Sequence, residues 1–162
     1  MRTRQLFSLL LILYTFQVSA QAGDTKAKAF DFWLGEWTVY WYDQDSNKVF
    51  GKNRVEKTLD GKVLQEHFST PNGFKGTSLS VYNPKQKSWH QAWADNQGGY
   101  YNFIGIVDNE ERIFSTDTSK QQIQRMRFYE RKVNSFIWDW ERSSDGGQSY
   151  QLAWRIYYQR KN

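Results

Sequence analysis

From residue 36 onward, large apolar side chains recur at every second position. Trp37, Val39 and Trp41 alternate with Thr38, Tyr40 and Tyr42, which predicts a β-strand over 36–42. Just before it, Phe30, Trp33 and Leu34 stand at i, i+3 and i+4, the spacing of one face of a helical turn. Gly35 sits where the period changes, at a bend suited to a residue without a Cβ. Turn signals then divide the chain: Asp43–Asn47, Asp60-Gly61, Pro71-Asn72-Gly73, Asn83-Pro84, Asp95–Gly99, Asp108-Asn109, the polar run through Lys120, and Ser143–Gly147. Between them the pattern predicts strands over 48–58, 62–70, 75–82, 87–94, 100–107, 111–116, 121–131, 135–142 and 148–159.

About ten strands in sequential hairpins, with no helical period after Leu34, describe an all-β fold. A meander this long curls and removes its free edges by closing, whereas a Greek-key sandwich would need longer crossovers. The expectation is one antiparallel up-and-down β-barrel over 29–162, entered through a short helical plug built on Phe30, Trp33 and Leu34.

Composition sharpens this picture. The 162 residues contain 8 Trp, 10 Tyr and 11 Phe, yet charged residues make up 24%, so rings and polar groups are interleaved. That is the mixture of a sheet with one buried face and one wet face. The rings serve a cysteine-free core, and they also suit an aromatic-lined cavity.

The N-terminus predicts export. Arg2 and Arg4 precede an apolar run from Leu6 to Phe16, and Val18-Ser19-Ala20 supplies a small-x-small cleavage site before Gln21. The apolar run is short of the roughly 20 residues a spanning helix needs, so a signal peptide over 1–20 is expected rather than a stable membrane anchor. Residues 21–28 read as a flexible tail, and the mature chain as secreted or periplasmic. Without Arg2 and Arg4 the balance is 20 basic to 17 acidic residues, and no basic tract stands apart from strand-like alternation. Nucleic acid is therefore not an expected partner.

Signals for covalent or metal chemistry are sparse. The two histidines, His67 and His90, lie in different strands, on the sides opposite Leu64/Glu66/Phe68 and Trp89/Gln91/Trp93. No short-range metal spacing accompanies them, and no metal is expected. Gly146-Gly147 is hairpin chemistry, Ser144 and Ser149 lack a nucleophile elbow, and Asp43/Asp45 lack calcium-loop spacing.

Polar residues that share a side with large apolar ones are more informative. Glu66 lies between Leu64 and Phe68, and Gln91 between Trp89 and Trp93. Asn102 keeps the side of Tyr100 and Ile104, Tyr129 that of Arg125 and Arg127, and Arg155 that of Ala153 and Tyr157. An interior charge must be paired or hydrogen-bonded, and a Glu66–arginine pair would serve either as a brace or as an anchor for a polar ligand. The expected ligand-lining set is Trp37, Trp41, Glu66, Gln91, Trp93, Asn102, Arg127 and Tyr129. A glycosidase-like site would need a second carboxylate beside Glu66, with Glu56, Asp95, Asp139 and Glu141 as candidates.

The ordered motifs Phe30-Asp31-Phe32-Trp33-Leu34-Gly35-Glu36-Trp37, Gly61…Leu64-Gln65-Glu66, Gly76-Thr77-Ser78…Tyr82-Asn83, Trp89-His90-Gln91-Ala92-Trp93-Ala94-Asp95 and Trp140-Glu141…Ser144-Asp145-Gly146-Gly147 span nearly the whole mature chain. In them the chain resembles a bacterial family of exported and cytosolic proteins that look like lipocalin-like (calycin-type) barrels and carry no assigned general activity. More distantly it is similar to nitrobindins, ten-stranded haem-binding barrels that also open with a Leu-Gly-x-Trp turn. Their haem is held by a histidine near the C-terminus. The matching segment here, Trp154-Arg155-Ile156-Tyr157-Tyr158-Gln159-Arg160, has none, so no haem or other cofactor is expected, and Tyr157 and Tyr158 read as wall residues.

The resulting expectation is an exported binding protein for a small, partly apolar or aromatic molecule. A small-molecule isomerase or hydrolase using the same pocket is the first alternative, and a structural or protein-interaction module the second. A homodimer is compatible with each.

Overall fold

The computed structural model describes residues 25–108 and 111–161. The expected signal peptide over 1–20 and the first residues of the expected tail lie outside them. Asp31–Trp33 form a single 3-10 turn, and the ten strands are β1 (Gly35–Tyr42), β2 (Lys48–Thr58), β3 (Val63–Ser69), β4 (Lys75–Asn83), β5 (Ser88–Asp95), β6 (Tyr100–Asp108), β7 (Glu111–Ser115), β8 (Ile123–Tyr129), β9 (Ser135–Ser143) and β10 (Gln151–Arg160). Each strand pairs antiparallel with its sequence neighbours, and β10 returns to β1 to close the barrel. The expected up-and-down barrel with its helical plug is the observed fold.

The hairpins form where the turn residues predict. Leu59, Asp60 and Gly61 take positive φ at 47°, 56° and 77°, which gives the β2–β3 turn its left-handed backbone. Strands β8 and β10 are shorter at their N-terminal ends than the alternation suggests because local side chains hold the chain in a loop. The Asp145 carboxylate accepts the Ser149 hydroxyl at 2.6 Å and the Ser149 N–H at 3.0 Å, while Gly146 N–H reaches the Gln121 carbonyl at 3.0 Å.

Helical plug and strand starts meet at one end. Residues 25–27 make a helical turn whose Lys26 carbonyl accepts the Trp89 indole N–H at 2.9 Å. Phe30 is fully buried, stacked on Phe114 at 4.4 Å and edge-on to Trp89 at 5.2 Å. The chain then bends at Gly35, whose φ of +117° is unfavourable for any residue with a Cβ. The Trp33 carbonyl accepts the Trp37 indole N–H at 2.8 Å, which ties the plug to the first strand. Aromatic residues thus close this end in the role a disulfide-free core requires.

Candidate functional site

Above the plug the barrel is not filled. A cavity of about 260 Å³ lies between Trp33 at its floor and Trp93, Trp140, Arg142, Ala153 and Trp154 toward the opposite, open end. Phe68, Phe74, Tyr101, Phe103, Met126, Trp138, Ile156 and Tyr158 complete the apolar wall, and Glu66 is its one acidic group. The volume lies between the ~150 Å³ that admits benzene and the ~300 Å³ at which drug-sized pockets begin.

Around the cavity rings brace rings. Trp154 meets Trp41 edge-on at 5.2 Å and Trp138 at 5.9 Å, and Trp140 stands edge-on to Tyr101 at 5.6 Å. Gly76 leaves the space that Trp93 occupies: a Cβ there would lie 2.0 Å from the indole. The Trp93 N–H is in turn held by the Asp95 carboxylate at 3.0 Å. Asp95 is itself kept below the ordinary carboxylate range: its partial burial pushes the other way, and the hydrogen bonds from Trp93, Gly99 and Gln97 outweigh it.

Glu66 is set by register. It lies opposite Ser78 across β3 and β4, while Gln91 of β5 lies opposite Ser80. Asn53 Nδ2 donates to Glu66 Oε1 at 2.6 Å, and Ser78 Oγ donates to Oε2 at 2.7 Å. The same Asn53 amide donates to the Tyr158 hydroxyl oxygen at 2.9 Å, bringing β10 to the cluster. Gln91 Nε2 donates to Ser80 Oγ at 2.9 Å and to Ser78 Oγ at 3.3 Å. All of these side chains are buried. Burial pushes the Glu66 carboxyl up to about 7, against the opposing pull of its two hydrogen bonds. Burial, and then the nearby Glu66 charge, hold the Tyr158 phenol well above its ordinary value.

The expected Glu66–arginine pair does not form. The arginines face outward and find their acids there. Arg125 Nε donates to Glu141 Oε2 at 2.6 Å, and Arg127 bridges Glu141 at 3.0 Å and Glu111. Arg155 grips Asp139 through two bonds of 2.8 and 2.7 Å, and the Tyr129 hydroxyl donates to the same carboxylate at 3.0 Å. Asp139 is only 1% exposed although it is on the outer face, because these side chains lie over it. The Tyr129 phenol's own burial, and then the bond to the Asp139 carboxylate, push it up to about 12.

Of the eight residues expected to line a site, Glu66 and Trp93 line the cavity. Gln91 belongs to the buried cluster behind it. Trp37 and Trp41 point inward as expected but act as supports: Trp37 packs on Phe136 at 4.9 Å near the plug, and Trp41 backs Trp154. Asn102, Arg127 and Tyr129 are corrections. Asn102 is exposed and accepts the Tyr100 hydroxyl at 3.2 Å on the outer face, so Tyr101 and Phe103 are the inward residues of β6. In β8 the inward residues are Met126 and Phe128, which puts Arg127 and Tyr129 outside. In β8 the heavier apolar set, Met126 and Phe128, marks the inner face, whereas in β6 Tyr100, Ile104 and Ile106 balance Tyr101, Phe103 and Val107 and alternation does not choose. Asn53, Ser78 and Ser80, which complete the polar cluster, carried no signal beyond small polar residues at inward positions.

His67 and His90 face outward. His67 sits 3.7 Å from Glu56, and His90 shares hydrogen bonds with Gln86 and Ser88. Among the described residues no group of three or more His, Asp or Glu side chains has the arrangement of a metal site. None of Glu56, Asp95, Asp139 and Glu141 lines the cavity with Glu66.

No family model matches the chain, and no curated protein matches it. Among solved structures, the crystal structure of Rv2717c from M. tuberculosis aligns over 85% of this chain and 98% of its own, at 12% identity and a TM-score of 0.49.

Proposed function

We propose that this chain is an exported binding protein that holds one small, largely apolar molecule inside its barrel. The observation that carries the reading is the aromatic cavity above the plug, with a single acidic side chain in an otherwise hydrophobic wall. Such a composition, many apolar surfaces and few placed polar groups, is that of ligand pockets. Its size suits one or two rings.

The test is native mass spectrometry of the protein purified from its own host, before and after denaturation. The expected result is an excess mass of one small molecule that disappears on unfolding, over a polypeptide that begins at Gln21. In parallel, naphthalene is expected to quench the tryptophan fluorescence saturably, and Ala153→Trp at the rim to weaken that effect at least tenfold. Naphthalene that quenches only linearly, with no retained mass, would overturn the reading.

One observation favours a second reading, an enzyme that moves a proton. A carboxyl poised near neutrality in a water-poor pocket has the character of a general base. Among the described residues no second carboxylate and no histidine lines the cavity with Glu66, and its bonded partners are an amide and a hydroxyl. Binding therefore remains the better-supported function.

A further inference from the structure

The polar cluster in the barrel wall is short of donors and short of positive charge. Glu66 receives only Asn53 and Ser78, both neutral, and none of the ion pairs among the described residues includes it. Asn53 Oδ1 and Gln91 Oε1, in the same cluster, are buried acceptors with no hydrogen-bond partner. Each Glu66 oxygen spends one acceptor direction on the protein and retains another, since an ionised carboxylate has about four. A buried carboxylate without a counter-ion is costly, and breaking an existing pair costs several kcal/mol for the same reason. Among the described residues no Lys or Arg side chain meets this carboxylate.

The charged and titratable groups that share the barrel interior do not supply the missing cation. Within reach of the cluster are Tyr158 of β10 and, around the cavity, Tyr101 of β6 and Arg142 of β9. Tyr158 is bonded to Asn53. Arg142 is an exposed residue of the open end. The remaining basic side chains on inward positions are engaged at the plug end: Lys57 with Asp31, Arg112 with the Ala29 carbonyl, and Arg160 with the Leu34 carbonyl. From β2, β4 and β5 the groups facing Glu66 are Asn53, Ser78 and Gln91, none of which ionises.

We propose that the ligand supplies the counter-ion: the cavity selects a protonated amine on a one- or two-ring apolar body, with its ammonium on Glu66 and its body among the tryptophans. The inference rests on the binding function above and names its ligand class. The walls favour the same charge, because the faces of Trp, Tyr and Phe rings carry the negative end of the quadrupole and attract cations. Trp93, Trp138, Trp140 and Trp154 surround the space that Glu66 lines. A neutral ligand would satisfy the walls but leave Glu66, the cluster's acid on the cavity, without a counter-ion. An anion would face an acid and the ring faces together, with only the exposed Arg142 to offset them.

Three probes of nearly the same shape separate these cases: phenethylamine, n-propylbenzene and 3-phenylpropionate, titrated by calorimetry at pH 8.5 and pH 5.5. At pH 8.5 phenethylamine is expected to bind at least tenfold more tightly than n-propylbenzene, with 3-phenylpropionate weakest. Lowering the pH to 5.5 protonates Glu66 and is expected to weaken phenethylamine by about tenfold or more while leaving n-propylbenzene unchanged. In Glu66→Gln both the preference for the amine over n-propylbenzene and its pH dependence should vanish, with the circular dichroism spectrum unaltered. If that variant fails to fold, the order of the probes and the pH response of the unaltered protein still decide. An amine that binds no better than n-propylbenzene at pH 8.5, a preference for 3-phenylpropionate, or an amine preference that survives Glu66→Gln would overturn the amine assignment and leave the binding function standing. Failure of all three probes to bind would overturn both.

Discussion

At the scale of single residues, Glu66 makes the stability of the barrel depend on pH in an unusual direction. The unfolded carboxyl titrates near 4.5, and burial moves it to about 7 in the folded protein. Between these values the folded state keeps a proton that the unfolded state releases. Glu66 therefore contributes stability that is fully present below about pH 4.5 and is lost as pH rises through 7. The span corresponds to roughly 3 kcal/mol. Glu111 acts in the opposite sense: its bonds to Arg127 hold it below the ordinary range, so its contribution is lost as pH falls. Maximum stability is thus expected on the acid side of neutrality, near pH 5. Urea denaturation between pH 4 and 9 checks this, with Glu66→Gln predicted to lack the decline above pH 5. Equal stability of the unaltered protein at pH 5 and pH 8 would contradict the assigned burial of the charge. Most of this was legible at Glu66 itself, which sits between Leu64 and Phe68 in a clear alternating strand. Its partners are not: Asn53 and Ser78 are small polar residues of the neighbouring strands with nothing to distinguish them, and Tyr158 reaches Asn53 across 105 residues only when β10 closes on β1.

At the scale of strands, the inward and outward faces of this barrel differ less in polarity than the alternation rule assumes. On β6 the outer face presents Tyr100 and Ile104, 64% and 51% exposed, so a large apolar residue does not mark the interior. On β8 and β9 the outer face buries charge, with Asp139 and Glu141 under the guanidinium groups of Arg125, Arg127 and Arg155. A buried polar residue there looks, in sequence, like an orienting group inside a pocket. This is why strands and turns are legible in the sequence, while alternation points the outer polar residues of β6, β8 and β10 inward. β3 and β5 are legible because each sets two large apolar residues around one polar one and leaves a histidine on the opposite face. The outer network gives a direct check of the corrected faces. Asp139→Ala removes the shared acceptor of Arg155 and Tyr129 and should cost about 2 kcal/mol, less than a fully buried pair because Arg155 is partly exposed. The same variant should bind naphthalene with unchanged affinity, since Asp139 lies behind the wall. A large loss of binding at unaltered stability would instead place this network in the site.

At the scale of the whole molecule, closure is what permits both the cavity and the absence of cysteine. Every strand has two neighbours, so no open edge invites pairing with another chain. The seam that achieves this is narrow. β1 and β2 are in register over eight residue pairs, whereas β1 and β10 meet over four, Trp37–Arg160 through Tyr40–Tyr157. The last residues of the chain reinforce it beyond the ladder. Arg160 donates to the Leu34 carbonyl at 2.9 Å and lies over the Trp37 ring at 4.2 Å, and Lys161 N–H reaches the Glu36 carbonyl at 3.0 Å. Truncation after Tyr158 removes half of the paired residues of the seam and all three of these contacts. It also frees the tether between the chain terminus and the bend that seats the plug. The expected outcome is a loss of several kcal/mol in urea denaturation, well above the ~1 kcal/mol typical of a surface hydrogen bond, because plug, seam and cavity wall are lost together. Exposed edges of β1 and β10 should then appear as concentration-dependent association in light scattering. A truncated chain that stays monomeric with its denaturation midpoint unchanged would show that the plug and the remaining two pairs suffice to hold the barrel closed.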